Sequence, residues 1–75
     1  MAKRLIEKEN EFVKERYFVA SGMAKFGGSF VNYLGNALYK ADNTNAKKIK
    51  KAFPEYWKAY LKYGKIDHDK EQAGE

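Results

Sequence analysis

The chain has 75 residues, 15 Lys plus Arg against 10 Asp plus Glu, a formal net charge of +5 and no cysteine. That length fits one domain that buries only ~60% of its unfolded surface, and without cysteine neither a disulfide nor a thiolate zinc site can reinforce it. A 44% hydrophobic and 16% aromatic composition excludes a disordered chain, and no apolar run approaches the ~18 residues of a membrane span.

The chain opens Met1-Ala2-Lys3-Arg4, and only Leu5 and Ile6 follow before Glu7. This is no signal-peptide core, so the expectation is a cytoplasmic protein. From Lys3 to about Ala20 the pattern predicts a helix, with Leu5, Ile6, Phe12, Val13 and Tyr17 in one stripe. Glu9 and Arg16 fall inside that stripe. Either both side chains reach out to water or they pair in an interface. Phe18 points nearly opposite, so either the helix ends before it or a second apolar surface exists. Residues 21–28, SGMAKFGG, hold three of the six glycines and predict a loop that permits positive φ.

Ser29 is a candidate N-cap for a second helix, about Phe30 to Ala41. Phe30, Val31, Leu34, Ala37, Leu38 and Ala41 form its apolar stripe, and Asn32, Asn36 and Lys40 lie opposite. Gly35 in mid-helix marks close packing against another helix. Asp42-Asn43-Thr44-Asn45 is a turn, and Asp42, Asn43 or Thr44 could cap a third helix running to about Phe53. Its inward residues are Ala46, Ile49 and Phe53. Pro54 suits the first turn of a fourth helix, about Pro54 to Tyr63, with Gly64 as its stop. These spacings predict an all-α domain of three to four helices over residues 1–64, followed by a polar, flexible tail over 65–75. No segment alternates with the period of a strand.

Positive charge is concentrated. Residues 47–65 carry seven lysines against Glu55, whereas residues 66–75 carry Lys70 against Asp67, Asp69, Glu71 and Glu75. The basic stretch interleaves lysine with Phe53, Tyr56, Trp57, Tyr60 and Tyr63, a pattern suited to single-stranded nucleic acid. It contains no arginine, the residue base readout favours. The alternative is that the aromatics form the core and the lysines a solvated face.

Catalytic chemistry finds little support. His68, the single histidine, lies between Asp67 and Asp69 in the tail, and that trio lacks the convergent ligands of a metal site. Ser21 and Ser29 have no candidate base. Gly22, Gly27 and Gly28 form no phosphate-binding signature. The expectation is a non-enzymatic protein without metal or cofactor. Phe18, Met23, Phe26, Trp57 and Tyr63 exceed what one inward face needs. Either they form a partner surface or a homo-oligomer contact, or Met23 and Phe26 fold back over the core.

Residues 26–57, from Phe26-Gly27-Gly28-Ser29-Phe30 through Leu34, Ala37-Leu38, Ala41-Asp42, Asn45 and Ile49 to Ala52-Phe53-Pro54-Glu55-Tyr56-Trp57, resemble small uncharacterised proteins of bacteriophages and prophages. The resemblance implies a mobile-element source and action in the bacterial host cytoplasm. It carries over no functional residues. Proteins of that origin often block a host protein, including defence nucleases, or sequester a signalling nucleotide. The expected function is therefore docking on a host protein, such as a nucleic-acid enzyme. Lys47, Lys48, Lys50, Lys51, Lys58 and Lys62 would form the electrostatic surface, with Trp57 and Tyr60 beside it. Direct binding of nucleic acid or a nucleotide through the same face is the alternative. A structural subunit of a phage particle is the second alternative.

Overall fold

A computed structural model describes the backbone of residues 2–73 and the side chains of residues 10–70. The described residues form four helices and no strand: α1 (Ala2–Phe26), α2 (Ser29–Lys40), α3 (Asn43–Ala52) and α4 (Pro54–Ala73). The all-α expectation holds. Helix α1 is the central element, packed mainly against α2 and α4, while α3 bridges the ends of those two.

The connections follow local chemistry. Gly28 takes the N-cap of α2 in extended geometry and no side chain caps the helix there, so Ser29 is the first helical residue and not the cap. The Asp42 side chain does cap α3, accepting the Asn45 N–H at 2.8 Å. Phe53, placed before proline, leaves helical geometry at φ −129°, ψ 61°. Pro54 then opens α4.

Two boundaries differ from expectation, and glycine explains both. Helix α1 runs through Gly22 to Phe26, so residues 21–26 are helix and not loop. No described glycine has positive φ. Helix α4 runs through Gly64 to Ala73, so Gly64 does not stop it and the tail predicted from residue 65 is helical to Ala73. Gly22 and Gly64 are both buried and face each other's helices. A Cβ on Gly22 would lie 2.5 Å from the Tyr60 carbonyl oxygen, and one on Gly64 would strike the Phe18 carbonyl. The missing side chains let the two backbones touch. Gly35 serves the other crossing as its mid-helix position predicts, since a Cβ there would lie 2.7 Å from that of Met23.

The core is small: Val19, Ala20, Met23, Val31, Leu38, Ala46 and Trp57 are buried, with Phe12, Leu34, Ala41, Ile49, Tyr60 and Leu61 packed against them. Met23 is fully buried, which settles its role as core. The inward face of α1 is rotated from the predicted stripe. Val13 and Tyr17 are exposed, while Arg16 turns inward and donates to the Ala41 carbonyl. The Glu9–Arg16 pairing, and the side chains of Leu5 and Ile6, lie outside the described residues. Phe18 belongs to a second apolar surface of α1, facing α4, where it meets the His68 ring edge-on at 5.3 Å.

Candidate functional site

The lysines of α3 follow from its period. Ala46 and Ile49 pack inward, which turns Lys47, Lys50 and Lys51 toward one flank and Lys48 toward the other. Across the break at Phe53, α4 presents Trp57, Lys58 and Leu61 to the same flank as Lys47, Lys50 and Lys51. Together with Pro54 these residues line a groove of about 500 Å³. Its lining is mostly apolar, made by Trp57, Leu61 and Pro54 together with four lysines.

Trp57 is only 3% exposed. Its ring stacks on Phe12 at 5.8 Å between centroids and 7° between planes. Its indole N–H donates to Glu15 Oε1 at 2.5 Å. Lys50 donates to the same oxygen at 2.8 Å. The Lys50 ammonium also lies 5.6 Å from the Trp57 ring centre and 5.8 Å from that of Phe12. The Lys47 ammonium lies 5.5 Å from Phe12. Attraction between ammonium and ring adds to the hydrogen bonds in fixing Trp57, Lys47 and Lys50, which line the groove.

Glu15 anchors two of the residues that line the groove, Trp57 and Lys50. Partial burial pushes its carboxyl group up, but the hydrogen bonds from Lys50 and Trp57 and the charges of Lys50 and Lys65 outweigh burial and hold it below its ordinary value. The carboxylate therefore stays ionised while it accepts both donors. It pairs with Lys50, whereas Lys51 and Lys58 form no ion pair with another described residue.

The structure gathers Lys47, Lys50, Lys51, Lys58 and Trp57 of the expected site. Trp57 supplies the floor as a core residue, not as an exposed partner-facing ring. Lys48 lies apart, lining a shallower cleft with Lys40, Ala41 and Ile49. Lys62 is exposed on α4 outside the groove. Tyr60 is half-buried and points to the opposite flank, where its ring meets Tyr56 at 6.4 Å and Tyr63 at 5.7 Å. Sequence reasoning missed Glu15 and Phe12 as the residues that hold Trp57 and Lys50 in the site. The signal was present only in outline: both lie one turn apart on α1, but nothing in the pattern says that α3 and α4 close over them.

Four exposed aromatic rings collect on the far flank of α4, while Tyr17, Tyr33 and Tyr39 are exposed on α1 and α2. Phe26, Phe30, Tyr56 and Tyr63 are 54, 57, 40 and 50% exposed. Ring contacts link Phe26 to Tyr63, Tyr63 to Tyr60, Tyr60 to Tyr56, and Tyr56 to Phe30 and Phe53. Among the described residues no three His, Asp or Glu side chains converge as a metal site, and no helix is long and apolar enough to cross a membrane. Comparison with known protein families, curated proteins and solved structures finds no match for the chain.

Proposed function

We propose that the protein is a non-enzymatic binding module that docks an acidic, amphipathic segment of a partner protein in the groove between α3 and α4. One observation carries this reading: lysines and exposed rings, interleaved in the sequence, lie on opposite flanks of α4. Single-stranded nucleic acid needs both in one place, since cations hold the phosphates and open ring faces stack the bases. The groove offers cations without an open ring, because Trp57 is buried against Phe12. It does offer an apolar floor for a partner's leucine-like side chains and ammonium groups for its carboxylates. Charge sets approach and orientation there, while the floor supplies affinity. A phage-type accessory protein acting on a host protein, or a counter-defence inhibitor, would use such a groove. That assignment of origin is supported by the resemblance of residues 26–57.

The test is fluorescence anisotropy with two labelled probes: an amphipathic helical peptide with glutamates on one face and leucines on the other, and a single-stranded oligonucleotide. The peptide is expected to bind and to lose affinity less steeply with salt than a phosphate ligand would. Replacing Lys47, Lys51 and Lys58 together with Gln is expected to weaken it about tenfold or more. Tighter binding of the oligonucleotide, lost steeply with salt as counterion release requires, would overturn the proposal.

A further inference from the structure

Beyond the groove, the outer face of α4 carries a stripe that no element of the fold covers. Tyr56, Ala59, Tyr63 and Ile66 are spaced three, four and three residues apart, the alternation that keeps side chains on one line of a helix facing a second helix. All four are exposed, Tyr56 at 40%, Tyr63 at 50% and Ile66 at 44%. We infer that this stripe is a self-association surface, on which α4 of a second copy of the chain packs antiparallel.

Three observations select a second copy as the occupant. The first is area. With about 200 Å² for a full aromatic side chain, the exposed parts of Tyr56, Tyr63, Ile66 and the adjoining Phe26 and Phe30 offer roughly 500 Å². That is well over half of the ~800 Å² each partner contributes to a standard interface, and at the upper end of the apolar patches monomers leave open.

The second is charge. Glu55, Lys62 and Asp69 form a column along the stripe's edge, each a heptad from the next, with signs that alternate. Glu55 and Lys62 form no ion pair with another described residue. In an antiparallel pairing related by a two-fold axis, Glu55 meets Lys62 of the second copy and Lys62 meets its Glu55, so the contact closes with both signs matched. The third is shape. The same register sets Tyr56 over the small Ala59 of the second copy, twice by symmetry. It also brings Tyr63 to the cleft of about 430 Å³ that Ala52, Phe53, Pro54, Glu55 and Tyr56 line at the start of α4. Large residues facing small ones let two helices interdigitate. The basic groove lies on the other flank of α4, so pairing leaves it open.

Light scattering across a concentration series should show mass rising from one chain to two. Ala59→Glu, at an exposed position, should hold the chain as a monomer with its helical circular dichroism unchanged. Glu55→Lys alone and Lys62→Glu alone should each weaken the dimer about tenfold, and the double swap should restore it. A chain that stays monomeric at every concentration would overturn the inference. So would a dimer indifferent to Ala59→Glu, or single charge reversals without effect.

Discussion

The two flanks of α4 share a backbone and a buried ridge, yet they carry opposite chemistry. One flank looks onto α3 and presents lysine around an apolar floor. The other looks past Phe26 and Phe30 and presents linked rings with little charge. A single helix thus supplies two surfaces, and the line of buried Trp57, half-buried Leu61 and buried Gly64 separates them. Composition reports the sum of the two. Function depends on their separation, because an anionic partner is drawn to one flank and an apolar partner to the other.

The sharpest way to break this arrangement is Trp57→Ala. It empties the ridge that holds the flanks apart and should cost about 3–5 kcal/mol, enough in a domain this small to unfold much of the population. Urea unfolding followed by circular dichroism measures it. Gly64→Ala comes next. Helix propensity favours alanine by ~1 kcal/mol, but the new Cβ meets the Phe18 backbone. A net loss of about 1–3 kcal/mol is expected from the forced separation of α1 and α4. A gain in stability would mean that the helices do not touch there.

Glu15→Gln sharpens the contrast without touching the aromatic flank. It should cost about 1 kcal/mol through the weakened Lys50 and Trp57 hydrogen bonds. The pH dependence has a definite sign. The carboxyl is held below its ordinary value in the folded chain. Its stabilisation is therefore complete above that ordinary value, about 4.5, and is lost as pH falls through the folded value. Stability of the Gln variant should fall less steeply in acid than that of the unaltered chain. Smallest in stability, and largest in selectivity, are Lys51→Gln and Lys58→Gln. Each should shift unfolding by less than about 0.5 kcal/mol while weakening the acidic peptide and sparing self-association.

Helices α2 and α3, the Asp42 cap and the restart at Pro54 are legible in the sequence because each depends on residues close by. The ends of α1 and α4 are not. A glycine reads as a stop when only its own helix is considered, and Gly22 and Gly64 become helix-interior residues because the opposing backbone occupies the space of their side chains. The core role of Met23 is one of two open readings for the same reason, since it follows Gly22. The lysine groove was legible as a charged stretch but not as a site. Phe12 and Glu15, more than thirty residues away in the chain, fix Trp57 and Lys50 in place, and only tertiary packing buries Trp57 while leaving Tyr60 half-buried on the opposite flank.

The most direct test of the central claim is an NMR titration of the protein with the acidic amphipathic peptide, read at the backbone amides and the Trp57 indole N–H. That indole belongs to a residue that lines the groove and donates to Glu15, so it reports on the site from within. Binding in the groove predicts a shifted indole signal and shifted amides at Lys47, Lys51, Lys58 and Leu61, with Phe26, Phe30 and Tyr63 unmoved. Shifts confined to the aromatic flank, with the indole unchanged, would contradict the claim.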